Sequence, residues 1–361
     1  MIHSSSGHTS KCSGSLALLA LVLLGCAEQR PPTNPSGPGM TDEELARRAG
    51  PAVDPAAPLA LIAFGSCSNT DLPQPLWDPI MATGPDLWIW LGDNVYADTD
   101  DMSVMRAKYE AALANPGYAA LLSATPIVGT WDDHDYGSND AGSEYPQRDA
   151  SQQELLDFVG EPRESPRRSR AGVYTSYVYG EVPTRVKVVL LDSRYHRDEP
   201  GPGADVLGEE QWAWLEAELT GSDAQLHVIG GGFQFLPEDH AYEKWANFPE
   251  ERARLLELIG RSGAPGVILL SGDRHLSEIS RVEDPSLAYP LYEVTSSGMT
   301  HSWINNPGEA NSHRVGELHK DLGFGTLDID WAGGRVSLQI RDRAGAVVVE
   351  ETVPLSTLDA G

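Results

Sequence analysis

From residue 59 onward the chain repeats one unit, a short apolar run followed abruptly by a polar cluster. The run 59–64 leads into Gly65-Ser66-Cys67-Ser68-Asn69, 87–91 into Gly92-Asp93-Asn94-Val95-Tyr96, and 126–131 into Asp132-Asp133-His134-Asp135. The run 186–191 ends in Asp192-Ser193-Arg194, 226–229 in Gly230-Gly231-Gly232-Phe233-Gln234, and 267–270 in Ser271-Gly272-Asp273-Arg274-His275. Runs that stay apolar at nearly every position predict strands covered on both faces, because a half-exposed strand alternates. Between them, 102–114, 152–159, 208–219 and 249–259 carry helical spacing; Trp212, Leu215 and Leu219 share one stripe, and Gly221 closes it. After residue 291 the texture changes. The runs 291–294, 324–331, 335–341 and 346–353 follow one another through short turns, with a hairpin at Gly333-Gly334. The pattern predicts one α/β domain over residues 59–355 with an antiparallel portion near its C-terminal end.

Composition narrows the function classes. The 361 residues are 40% hydrophobic, enough for a large core, and carry a formal net charge of −27. Asp and Glu outnumber Lys and Arg 53 to 26, so the chain repels phosphate backbones and no nucleic-acid partner is expected. Three cysteines, Cys12, Cys26 and Cys67, are too few for a disulfide scaffold.

The N-terminal segment reads as an address. The apolar run 16–24 is too short to span a bilayer but suits the core of a secretion signal. Leu23-Leu24-Gly25-Cys26 resembles a bacterial lipobox, which makes residues 1–25 a lipoprotein signal peptide and Cys26 the lipidated mature N-terminus. The expected place is then outside the cytoplasm, anchored by lipid to a membrane face toward the periplasm or exterior. An ordinary cleaved signal peptide is the competing reading. Residues 26–58 are rich in Pro and Gly and read as a disordered tether, with at most a short helix over 42–49.

In layered α/β folds ligands gather at the C-terminal ends of strands, and each polar cluster above sits at such an end. If those ends converge, Asp93, Asp132, Asp133, Asp135 and Asp273 meet one thiol and two histidines. Two like charges about 4 Å apart repel by roughly 4 kcal/mol at an effective dielectric of 20, so the cluster needs cations. Cys67, Tyr96 and His275 suit a transition metal, iron in particular; Asp273, Asp133 and Asn139 offer oxygens suited to Ca²⁺, Mg²⁺ or Mn²⁺, and Asp93 is placed to bridge. The bland reading of Cys67 is a small core hydrophobe, and that of Arg194 a structural ion pair with Asp192 or Asp198.

Gly92-Asp93-Asn94-Val95-Tyr96 resembles the Gly-Asp-x-x-Tyr motif shared by purple acid phosphatases and the alkaline phosphatase D (PhoD-like) family. Gly65-Ser66-Cys67, Trp131-Asp132-Asp133-His134-Asp135 with Asn139, Leu191-Asp192-Ser193-Arg194, Leu207-Gly208-Glu209-Glu210-Gln211-Trp212 and Ser271-Gly272-Asp273-Arg274-His275 resemble the latter family's successive signatures, in its order. The resemblance implies a calcineurin-like metallophosphoesterase fold, a two-sheet sandwich flanked by helices. It also implies Fe³⁺ held by Cys67, Asp93, Tyr96 and His275, with Ca²⁺ (or Mg²⁺ or Mn²⁺) held by Asp93, Asp133 and Asp273. The activity implied is hydrolysis of phosphate esters. The residue chemistry itself predicts attack by a metal-bound hydroxide, His134 as acid, Arg194 as phosphate clamp and His301 within reach of the pocket. Two alternatives stay open: a phosphodiesterase of phospholipase D type on the same site, and a non-catalytic calcium-binding surface lipoprotein. Oligomeric state is not legible.

Overall fold

The computed structural model describes residues 40–359 of the chain. The signal peptide and Cys26 lie outside the described residues. Among the described residues no helix is long and apolar enough to cross a membrane.

Thirteen strands and their helices are described, and the strands build two sheets. β1 (Leu61–Gly65), β2 (Leu87–Leu91) and β3 (Ile127–Thr130) run parallel side by side. The chain then crosses to a second sheet made of β4 (Thr175–Tyr179), β5 (Val186–Leu190), β6 (Leu226–Gly230), β7 (Val267–Ser271), β8 (Ser277–Val282), β9 (Leu291–Ser296) and β10 (Arg314–His319). Its spatial order is β10-β8-β9-β7-β6-β5-β4, with β5, β6, β7 and β9 parallel. β11 (Gly323–Asp330), β12 (Arg335–Asp342) and β13 (Val347–Pro354) return antiparallel to the first sheet and pair it through β1. The expected antiparallel portion is therefore the other half of the first sheet.

Period-two sorting explains why the runs are apolar throughout. Ile62 and Phe64 of β1 with Leu87, Ile89 and Leu91 of β2 join one core with Val188 and Leu190 of β5 and Val228 of β6. The alternate residues Ala63, Trp88 and Trp90 face outward into a second, aromatic-rich core. There Trp77 packs edge-on against both Trp88 and Trp90, with ring centroids 5.8 and 5.7 Å apart. That layer is roofed by α2 (Trp77–Thr83), α3 (Met102–Leu113), α4 (Pro116–Ala124) and, beyond the short α5 (Asp133–Tyr136), α6 (Arg148–Phe158). Helices α7 (Glu209–Leu219) and α8 (Pro249–Ser262) cover the second sheet with Trp212, Leu215, Leu255 and Ile259. This is the expected two-sheet sandwich with helical flanks.

Part of the segment expected to be a tether is folded. Helix α1 (Asp42–Arg48) starts in a capping box at Thr41 and buries Leu45 to 2% exposure. Ala49 accepts a hydrogen bond from the Ile127 N–H (2.9 Å), and Arg48 pairs with Glu110 at 2.6 Å. Residues 42–58 thus belong to the domain, docked by one apolar side chain and a backbone bond. At the other end Leu358, three residues past the expected boundary, is buried in the core.

Candidate metal centre

The parallel strands of both sheets deliver their C-terminal ends to one place. Backbone bonds stitch those ends together: Leu191 N–H to Gly230 O (2.8 Å), Gly231 N–H to Leu270 O (3.0 Å) and Gly272 N–H to Gly232 O (2.8 Å). Between the sheets, Thr130 Oγ1 donates to Leu191 O (2.7 Å) and Ser66 Oγ to Ser296 O (3.0 Å). Four candidate ligands leave their strands through left-handed backbone: Cys67 (φ 61°), Asp93 (φ 49°), Asp273 (φ 68°) and His275 (φ 54°). Each such non-glycine residue costs on the order of 1–3 kcal/mol, a cost that folds concentrate at functional sites. Gly92, at φ +92°, lies so close to Asp132 that a Cβ would stand 2.4 Å from the Asp132 Cβ. The turn that aims Asp93 therefore admits only glycine before it.

The side chains close the site. Cys67 Sγ lies 3.3 Å from Asp93 Oδ2 and 3.0 Å from Ser297 Oγ. The Tyr96 hydroxyl donates to Asp93 Oδ2 (3.1 Å) and sits 2.9 Å from His275 Nε2. Ligand atoms of Cys67, Asp93 and His275 fall within 4.8 Å of one another, and Asp93, Asp133 and His134 form a second such group. Asp93 belongs to both groups. Asp133 accepts from the Asp140 N–H at 2.7 Å. Asp273 Oδ2 is buried without a hydrogen-bond partner.

One acid of the cluster is a fastener. The Asp135 carboxylate accepts the N–H groups of Asp93 (3.2 Å), Asn94 (3.2 Å) and Asp132 (2.8 Å), tying the end of β2 to the start of α5. Burial raises its pKa to about 7 even so.

Electrostatics agree with a cation site. Burial pushes Asp93 well above the usual carboxylate range, and Cys67 and Asp133 push it further. Burial raises Asp273 to about 8, with Arg274 pulling the other way and Asp133 adding to the rise. The Cys67 thiol is raised by burial, partly relieved by Ser297 and Ser66, and Tyr96 by burial and Asp93. Burial, helped by the charges of His301 and His134, presses His275 to about 3, which favours a neutral imidazole. These groups reject their own negative charge unless a cation joins them; a sulfur, a phenol, an imidazole and shared carboxylates fit a transition metal beside a harder ion.

Two expected site residues are placed differently. Asn139 is exposed and makes no side-chain contact with the cluster. The left-handed turn at Asp140 (φ 56°) instead brings that neighbour's carboxylate within 4.8 Å of ligand atoms of Asp133 and Glu243. Arg194 does not stand at the rim as a phosphate clamp. It is fully buried, its Nε donates to Asp132 Oδ1 (2.6 Å), and its terminal nitrogens are taken by Glu243. Its partners are Asp132 and Glu243 rather than Asp192 or Asp198. His301 does reach the cluster, with Nε2 3.2 Å from His275 Nε2.

Sequence reasoning missed three members. Asp98 holds His134 Nδ1 at 2.6 Å; its one signal was an acidic run five residues after Asp93. Ser297 accepts the His275 N–H (2.6 Å) and meets Cys67, yet it sits in a Ser-Ser-Gly turn with no ligand spacing. Glu243 comes from the loop after β6, which carries no pattern.

Comparisons with known proteins agree with this architecture. The family model described as PhoD-like phosphatase matches residues 62–320. Alkaline phosphatase D of Bacillus subtilis (strain 168) is 23% identical over 64% of this chain, which spans about half (48%) of that protein's length. Among solved structures, PhoD superposes with TM-score 0.67 at 19% identity over 84% of this chain and 70% of its own. The GAP50 anchor of the Plasmodium inner membrane complex gives 0.56 at 12% identity over 82% and 89% of the two chains. A dimetal phosphatase from Danio rerio gives 0.50 at 15% identity over 83% of this chain and all of its own. The chain belongs to the PhoD-like phosphatase family.

Proposed function

We propose that this protein is an exported, metal-dependent phosphoesterase, anchored by a lipid on Cys26, that hydrolyses small phosphate esters at the cluster around Asp93. The observation that carries the reading is the meeting of Cys67, Asp93 and His275 ligand atoms within 4.8 Å, with Asp133 and His134 sharing the same Asp93. Fe³⁺ fits Cys67, Asp93, Tyr96 and His275; Ca²⁺, or Mg²⁺ or Mn²⁺, fits Asp93, Asp133 and Asp273. Two such ions supply an activated water and neutralise the phosphoryl oxygens when bound.

The chain's own groups do the rest. His134 is held by Asp98 at 2.6 Å and packed against the Tyr96 ring, centroids 4.2 Å apart, which fixes the imidazole beside the cluster. Burial disfavours its charge, but the Asp98 hydrogen bond and the nearby Asp133 outweigh that and raise its pKa. That upward shift and its place beside the cluster suit His134 to give a proton to the departing alkoxide. Arg194 acts at a distance, neutralising Asp132 and Glu243 behind the ligands.

The test is hydrolysis of 4-nitrophenyl phosphate by protein stripped with a chelator and reloaded with Fe³⁺ and Ca²⁺. Turnover is expected only after reloading and is abolished by Asp93→Ala. A loaded wild type that cleaves neither this monoester nor a bis(4-nitrophenyl) diester overturns the reading. Iron is tested separately: a tyrosinate–iron pair colours the loaded protein, and Tyr96→Phe removes the band.

A further inference from the structure

Among the described residues, Tyr242 and Trp303 are the only exposed Trp, Tyr or Phe side chains, at 44% and 37%. They touch each other, with ring centroids 5.3 Å apart and planes at 85°. Ile304, 56% exposed, follows Trp303 directly. Single exposed apolar residues need no explanation, but the two exposed rings of a chain meeting at one spot do.

That spot is the rim of the metal centre. The Trp303 N–H donates to the carbonyl of His275 (2.8 Å), so the indole hangs one backbone bond from a candidate ligand. Tyr242 immediately precedes Glu243, whose carboxylate approaches Asp133 and Asp140. The Arg274 guanidinium lies 4.2 Å from the Tyr242 ring centroid and is itself held by Glu309, which fixes the ring next to Asp273. Both rings are thus tied to segments that carry candidate ligands.

We infer that Tyr242 and Trp303 form a corner that selects phosphate esters whose leaving group carries a flat ring. The inference rests on the phosphoester reading above and names its substrate class. Two perpendicular rings offer a face for stacking and an edge for a T-shaped contact, which a planar group uses and a flexible chain does not. Aryl and nucleoside monophosphates share the required chemistry.

Calorimetry on the metal-loaded protein tests this with phosphonates that resist hydrolysis: (2-naphthyl)methylphosphonate, the 5′-phosphonate of adenosine, and ethylphosphonate. Stacking on one aromatic side chain is expected to favour a ring-bearing ligand over the ethyl one by about tenfold. Trp303→Ala should lower that affinity ratio about tenfold, and Trp303→Phe should restore most of it. Tyr242→Leu should lower it as well, which guards against a variant that fails to fold. Preference for the naphthyl ligand alone assigns aryl esters; preference for the adenosine ligand as well assigns nucleoside esters. A ratio near one in the wild type, no binding of either ring ligand, or an unchanged ratio in Trp303→Ala overturns the inference. Turnover of 4-nitrophenyl phosphate by the same preparation judges the phosphoesterase reading independently.

Discussion

Replacing Arg194 with Met separates a structural role from a substrate-binding one. The side chain is fully buried and spans Asp132 and Glu243, so the substitution keeps length and apolar stem while deleting the charge. At 2.6 Å and an effective dielectric of 20, attraction between Arg194 Nε and Asp132 Oδ1 amounts to roughly 6 kcal/mol. Desolvation of both ions offsets part of that, and breaking a buried pair from one side costs about 3–5 kcal/mol. Glu243 keeps Arg197 at 2.5 Å, whereas Asp132 keeps no cation and its Oδ2 already lacks a partner. The expected loss therefore falls within that range, about 3–5 kcal/mol. Denaturant unfolding of the metal-loaded protein reads it, and a cycle with Asp132→Asn should show the two losses to be strongly non-additive. A stability within about 1 kcal/mol of wild type, together with a KM raised tenfold or more, would refute the argument and return Arg194 to the phosphate.

Other consequences are direct. Gly92→Ala, forced to φ +92° with its Cβ on Asp132, should cost more than about 2 kcal/mol and lower bound metal; Gly201→Ala, with open space around it, should do neither, which metal analysis and unfolding check together. His227 is pressed to about 4 by burial, with Nδ1 on Pro265 O and Nε2 on Ser222 Oγ. A depressed histidine contributes its full stability above the unfolded value near 6.5 and loses it as pH falls toward 4. His227→Asn should flatten that stretch of the stability–pH curve by up to about 3 kcal/mol in urea titrations at pH 7 and pH 4. Asp98→Asn should slow hydrolysis of an alkyl phosphate at least tenfold more than that of 4-nitrophenyl phosphate, because a nitrophenolate leaves without a proton; equal slowing would remove Asp98 from that role.

Much of this molecule was legible because its central strands are buried on both faces. β2 and β7 show no exposed residue, so the apolar run has sharp ends, and those ends are the site. The strands that escaped notice lack such a signature. β4 and β10 are edge strands with half-exposed residues, and β8 carries the buried Glu278 and the half-exposed Arg281. Glu278 is tolerated there because Arg314 and Gln234 reach it, a pairing no local pattern announces. Within the candidate site, the polar clusters behind the parallel strands carried a legible pattern, whereas Glu243, delivered by a loop, carried none. Asn139 and Asp140 differ by one position, and a left-handed residue decides which of them faces Asp133. Arg194 was read for its chemistry, but its surroundings, two carboxylates from distant segments, set its task.

The claim beneath all of this is that one carboxylate, Asp93, is shared by two cations. Elemental analysis of the purified chain and of Asp93→Asn measures it most directly. The account predicts at least two metal ions per wild-type chain, iron among them, and loss of both in the variant, with its unfolding otherwise cooperative. A wild type that holds no metal after loading, or a variant that binds as much as wild type, would contradict it.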